Sequence, residues 1–315
     1  MTETNFEHVQ EAARRIKGIA HRTPVVTCSS LDEMAGAQLF FKCENFQKVG
    51  AFKFRGACNA IMKMDEAAAR RGVLTHSSGN HAQAIALAAK MRGIPAHIVM
   101  PENAPTVKRL AVEGYGARVI PCVPTLEARE TTAAAVAAET GATFVHAYNH
   151  PDVIAGQGTA AMELLEEVPD LDLIIAPIGG GGLMSGTCIA AKGINDGVRI
   201  IGAEPLGADD AARSMAAGQL ILQRGPNTIA DGLLTSMGDL TWPIIRDKVE
   251  RVVTVTEEDI VAHMRLTWER AKLLIEASSA TAVAVALSPA IRPAKKVGVI
   301  LTGGNVDLDK LPWMT

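Results

Sequence analysis

The stretch LDLIIAPIGGGGLMSGTCIAAKG, residues 171–193, decides the fold. An apolar, β-branched run from Leu173 to Ile178 passes straight into Gly179, Gly180, Gly181 and Gly182, and then into a segment with helical spacing. A fully apolar strand of this length fits a parallel sheet covered on both faces, and strand, tight turn and helix in sequence predict an α/β fold. Four glycines permit positive φ and close backbone approach, and the following helix contributes free N–H groups and its dipole, so the turn is suited to an anion, a phosphate above all. No GK[ST] follows, and the spacing is not GxGxxG, which argues against a nucleoside triphosphate or dinucleotide.

Outward from this turn the same rhythm repeats. GVLTHSS, AHIVMP, ARVIPC, TFVHAY, VRIIGAE, RVVTVT and KVGVILTG read as further strands, and TLEARETTAAAVAAET and EEDIVAHMRLTWERAKLL as helices between them. Glycine and proline breaks mark no single linker. The expected organisation is a large domain of residues 1–48 and 149–315, a small domain of 73–148 inserted in it, and a connecting segment 49–72. A cleft at the carboxyl ends of both sets of strands is the expected ligand site.

The 315 residues carry 31 Lys and Arg against 34 Asp and Glu, a net charge of -3 with no basic run. Nucleic acid is therefore not an expected partner, and a small molecule is. The start MTETNFEHVQEAARR lacks the apolar core of a signal peptide or anchor, so a cytoplasmic protein without membrane attachment is expected. Cys28, Cys43, Cys58, Cys122 and Cys188 are odd in number and show no CxxC spacing, which fits reduced, packed thiols.

Three further features share the strand-end pattern. Lys53 in GAFKFRGA lies near the start of a helix whose apolar stripe is Phe54, Ala57, Cys58, Ile61 and Met62, and Lys53 is off that stripe. By itself it reads as a solvated charge. The stretch THSSGNHAQAIALAAKM gathers Ser77, Ser78, Gly79, Asn80 and His81 before a helix, a polar cluster suited to a carboxylate. ILTGGNVD places Thr302 at a third strand end beside two glycines. One amine, one phosphate cradle and two polar strand ends together describe a site for pyridoxal phosphate, whose aldehyde needs a lysine and whose ring nitrogen needs a polar partner.

FQKVGAFKFRGA, SSGNHAQA, GGGGLMSG, IADG and LTGGNVD, in this order along nearly the whole chain, resemble the serine racemase and threonine (hydroxy-amino-acid) dehydratase branch of the fold type II pyridoxal phosphate enzymes. The resemblance implies that Lys53 condenses with the cofactor aldehyde, Phe52 flanks the ring, Asn80 bonds the ring hydroxyl, Gly179 to Gly182 with Leu183 hold the phosphate, and Thr302 faces the pyridine nitrogen. It also implies a substrate-carboxylate loop of Ser77, Ser78, Asn80 and His81, closed over by Arg129 and Thr235. In GAEPLGADD, Glu204, the Ala208 carbonyl and Asp210 match a divalent-cation site for Mg²⁺, Mn²⁺ or Ca²⁺; spacing alone reads there as a helix cap with a solvated acid pair. Lys48, Lys272 and Asn305 are compatible with the nucleotide site of some racemases, but Val49 departs from it, and ATP activation is not expected. A homodimer is implied.

The expected reaction is loss of water from a β-hydroxy amino acid. Lys53 takes the Cα proton, the β-hydroxyl leaves, and the released enamine hydrolyses to a 2-oxo acid and ammonia. A neutral hydroxyl at the ring nitrogen makes a weaker electron sink than a carboxylate would, which favours prompt loss of a β leaving group over a long-lived carbanion. Ser78, which the resemblance implies lies on the face opposite Lys53, keeps racemisation open. A β-replacement synthase and a non-catalytic binding module are the remaining classes. The elimination machinery does not separate serine or threonine from 3-hydroxyaspartate; a second carboxylate would call on Arg129, His81, His146 or His150, and the two substrate readings stand level with racemisation below them.

Overall fold

The structure, a computed structural model, describes residues 4–104 and 106–314. Ten strands form two sheets. Six belong to the first, in the order β1-β2-β10-β7-β8-β9: β1 (Val25–Val26), β2 (Gln38–Cys43), β7 (Leu173–Pro177), β8 (Arg199–Pro205), β9 (Arg251–Val255) and β10 (Lys296–Leu301). Four belong to the second, in the order β5-β4-β3-β6: β3 (Val73–His76), β4 (Ala96–Pro101), β5 (Arg118–Cys122) and β6 (Thr143–Phe144). Every neighbouring pair is parallel except β1 with β2.

The predicted α/β architecture is present, and each strand read from the sequence lies in one of these sheets. QLFFKC adds a strand, β2, that the sequence reading left out, and it pairs in parallel with β10 over Gln38–Cys43. TFVHAY pairs as a strand only at Thr143 and Phe144; Val145 N still donates to Leu74 O, and the chain bends from Ala147. The run EEDIVAHMRLTWERAKLL stops as a helix at Ala271, where Lys272 adopts a left-handed φ of 58°.

Burial follows period and layer. β7, with all five residues buried, is the central apolar strand its sequence predicts, and Leu173, Ile175, Val297, Val299 and Leu301 face the largest core together with the helix Ala277–Ala286. The helix Lys53–Lys63 is wedged between the helices Asn80–Arg92 and Pro151–Glu167, one from each side of the cleft. That position buries the predicted stripe at Phe54, Ala57, Cys58 and Ile61, and Arg55, Gly56 and Asn59 as well.

Candidate active site

The carboxyl ends of β3, β6, β7 and β10 converge on Lys53. Its segment is stitched to the chain after β10 by backbone bonds: Phe52 N donates to Thr302 O at 2.9 Å, Gly304 N to Gly50 O at 2.9 Å, and Ala51 bridges Gly303. Lys53 Nζ donates to the Ala147 carbonyl at 3.0 Å and lies 5.0 Å from the centroid of the Phe52 ring. Burial lowers the lysine to about 8, against the charge of Glu276, which raises it. An amine near neutrality at the bottom of a cleft is a nucleophile and a proton acceptor. It is not the solvated charge that its helix position alone would predict.

The glycine turn sits beside it through the next residue in the chain, Tyr148. A Cβ on Gly180 would lie 2.3 Å from Tyr148 ring atoms, and one on Gly182 would lie 2.9 Å from the Tyr148 Cα. Gly181 adopts φ 85°, leads into the helix Gly182–Ile194 without any side-chain cap, and faces Thr241 and Ile245 where a Cβ would be. Protein packing thus demands the glycines on one side. On the other, no acceptor among the described residues takes the buried N–H groups of Gly179 to Leu183. Buried N–H groups left without partners are the signature of an anion cradle.

Ser77, Ser78, Gly79 and Asn80 line the turn from β3 into the helix Asn80–Arg92, whose N-terminus likewise has no side-chain cap, and all four are half-buried. Asn80 Nδ2 donates to both oxygens of Glu276 at 3.1 Å, and its Oδ1 accepts from Asn305 Nδ2 at 2.9 Å. Thr302 Oγ1 lies 2.9 Å from Ser279 Oγ and 3.4 Å from Glu276 Oε1. Glu276 is fully enclosed, and burial pushes it up to about 7. Sequence reasoning missed Glu276 because no motif surrounds it; its side-chain partners come from two other segments, at Asn80 and at Thr302 with Asn305. It also missed Tyr148 and His76, although their flanking residues were in view.

The model of the family described as "Pyridoxal-phosphate dependent enzyme" matches residues 16–303. The chain belongs to this family. Among its relatives are a serine racemase of Dictyostelium discoideum, 49% identical over 99% of this chain and 98% of the relative, and a beta-hydroxyaspartate dehydratase of Paracoccus denitrificans, 51% identical over 98% of each. The solved structure of maize serine racemase superposes with a TM-score of 0.96 at 50% identity, covering 98% of this chain and 95% of that one.

The site fits the family's cofactor: the unpartnered N–H groups of Gly179 to Leu183 suit its phosphate, Phe52 gives a ring face, and Lys53 gives the amine. Arg129 lies half-buried in the first turn of the helix Leu126–Thr140, with its Nε buried and without a partner. Thr235 is exposed and faces the Tyr148 hydroxyl.

Glu204 lies at the end of β8, and Ala208 and Asp210 follow it. Glu204 is buried and accepts from Ala211 N and Ala212 N, both at 2.9 Å, so it caps the helix Asp210–Ala217 as spacing alone suggested. Asp210 Oδ2 accepts from Met237 N at 3.0 Å, while its Oδ1 is buried with no partner. Among the described residues, no three His, Cys, Asp or Glu side chains form a metal-binding group. Of the nucleotide-site candidates, Asn305 Nδ2 is taken up by Val49 O and Asn80 Oδ1, and Lys272 Nζ by Glu269 O.

Proposed function

We propose that this protein is a pyridoxal phosphate-dependent dehydratase that eliminates water from a β-hydroxy amino acid, yielding a 2-oxo acid and ammonia. The observation that carries the reading is Lys53: a cleft lysine lowered to about 8, between the unpartnered N–H groups of the glycine turn and the uncapped helix start at Asn80. When bound, pyridoxal phosphate supplies the carbonyl that captures the substrate amine and the ring that draws electrons from the Cα–H bond.

The chain's own residues would then do the rest. Gly179 to Leu183 hold the phosphate by backbone N–H groups, Phe52 supports the ring, and Asn80 and Thr302 meet its polar edge. Ser77, Ser78, Asn80 and His81 seat the substrate carboxylate at the helix start, where the dipole favours an anion. Arg129 and Thr235 close the open side and keep water out. Lys53, neutral once its proton is shed, takes the Cα proton, and the β-hydroxyl leaves as water. The names of the relatives support both this reaction and racemisation. Racemisation needs a second proton donor, and Ser78 supplies a hydroxyl in the carboxylate loop. Lys53→Ala, loaded with cofactor and offered both enantiomers of serine and threonine and the 3-hydroxyaspartate stereoisomers, is expected to release no ammonia and to invert no enantiomer. Turnover near the native rate would refute the assignment.

The same reading extends to the whole chain. The division into residues 1–48 with 149–315, and 73–148, joined by 49–72, is supported by the separate sheets that these stretches supply. Glu204, the Ala208 carbonyl and Asp210 would hold a divalent cation; the orphaned Asp210 Oδ1 is the donor that fits it. Such an ion would brace the junction after β8 and take no part in the chemistry. A homodimer follows from the family resemblance. No helix among the described residues is long and apolar enough to cross a membrane.

A further inference from the structure

The substrate's side chain is the part of the reaction the elimination machinery leaves unspecified, and the structure separates the four cationic candidates for meeting a second carboxylate. His150 is used as a helix cap: its Nδ1 accepts from Asp152 N at 3.2 Å at the start of the helix Pro151–Glu167. His81 is 2% exposed, and its Nε2 lies 3.2 Å from the Val145 carbonyl, to which it can only donate. The His81 ring therefore offers no donor to a ligand side chain, and His150 stands at that helix start beside Asp152 and Lys63.

His146 is different. Its Nδ1 accepts two backbone N–H groups, from Asn149 at 3.0 Å and Tyr148 at 3.3 Å. A nitrogen that accepts two N–H bonds carries no proton, so the ring is neutral with its hydrogen on Nε2, and that N–H has no acceptor among the described residues. The next carbonyl along, Ala147 O, is the one that holds Lys53 Nζ. The His146 ring is edge-on to Tyr148, which covers Gly180, with centroids 4.5 Å apart. Its other neighbour is His76, at 6.2 Å, the residue before the carboxylate loop. His146 therefore stands between the base, the phosphate turn and the substrate loop.

Arg129 completes the corner. It is near enough to His76 to lower that imidazole, second to burial, and its buried Nε has no partner among the described residues. The acids that reach the corner are Glu130 and Asp239, both exposed, and Asp239 is occupied by Asn149 Nδ2 at 2.6 Å. Two neutral imidazoles and an unneutralised guanidinium make a half-buried recess that favours an anion and offers a methyl group nothing.

We infer that His146 and His76, with Arg129 behind them, are the specificity-determining residues of the site: they receive the distal carboxylate of a four-carbon dicarboxylic substrate, so 3-hydroxyaspartate is preferred over serine and threonine. The inference rests on the dehydratase reading above. Steady-state ammonia release from the holoenzyme is expected to show a higher kcat/KM for one 3-hydroxyaspartate stereoisomer than for either enantiomer of serine. His146→Leu and Arg129→Met are each expected to lower that ratio about 10- to 100-fold, the worth of a hydrogen bond to a charged group. His146→Gln, which keeps an N–H donor near the ring tip, is expected to restore most of it. Succinate, which has both carboxylates and no amine, is expected to raise the melting temperature of the native holoenzyme and not that of the two deficient variants.

Equal loss on both substrates, or serine turnover without hydroxyaspartate turnover, would overturn the inference and leave the dehydratase reading standing. Cofactor-loaded protein inert toward every substrate would overturn the dehydratase reading instead. In that event the succinate shift still decides the recess: no difference between native protein and His146→Leu counts against it.

Discussion

At Lys53, the side chain's chemistry is set by two opposing terms: burial lowers it to about 8, and the Glu276 carboxylate pulls it up. Only the neutral amine can take the Cα proton, so kcat is expected to rise with pH and level off above about 8. Replacing Glu276 with Gln removes the raising charge and leaves burial. The rising limb of the pH–kcat profile of Glu276→Gln is therefore expected to move to lower pH, and an unmoved or alkaline-shifted limb would contradict the electrostatic account. Lys53 itself was legible in sequence only through its company of glycines and polar strand ends. Glu276 was not legible at all, since its meaning lies in Asn80, Thr302 and Asn305, which are 196, 26 and 29 positions away from it.

Among the elements, the strand–glycine–helix unit of residues 171–193 was the most readable, because an apolar strand, a turn without side chains and a helix start are all local properties. What the sequence hid was why four glycines are needed. Tyr148 presses on Gly180 and Gly182 from outside the unit, so that side of the turn has no room for side chains. Gly180→Ala forces that ring to move, and overpacking of this kind costs about 1–3 kcal/mol, so equilibrium binding of pyridoxal phosphate is expected to weaken by about tenfold or more. Tyr148→Ala in the same chain vacates the space and is expected to recover part of the affinity. If Gly180→Ala binds cofactor normally, the squeeze is not real. β2 escaped the sequence reading for the opposite reason: QLFFKC is short and mixed, and its place is fixed by β10 and not by its own pattern.

Over the whole molecule, the two sheets and the small-molecule site were legible from alternation and strand ends, whereas the buried charges were not. Arg55, the second basic residue of GAFKFRGA, is fully buried. It pairs with Glu44 at 2.8 Å and Glu163 at 2.8 Å, and Lys42 Nζ, also fully buried, reaches Glu163 at 2.7 Å. Arg55 and Glu163 stand 108 positions apart, and Lys42 lies farther still from Glu163, beyond any local pattern. The cation proposal also belongs to this scale, since Glu204 and Asp210 join the end of β8 to the segment around Met237. Burial pushes them up to about 8 and about 6, an arrangement that a divalent ion would relieve. Treatment with a chelator is expected to lower the melting temperature, and added Mg²⁺, Mn²⁺ or Ca²⁺ to restore it. Sedimentation of the restored protein is expected to give twice the chain mass. No thermal response to chelator or ion would remove the metal from the account.

The stitches between Gly50–Phe52 and Thr302–Gly304 have one further consequence. They lock Lys53 and Thr302, the proposed amine and ring partner, into a single frame, while His76, Arg129 and His146 hang from the other sheet's strand ends and first helical turn. The reagent end and the selecting end can therefore drift independently. A lineage could exchange one hydroxy amino acid for another by altering the second frame alone, with its proton chemistry carried along unchanged.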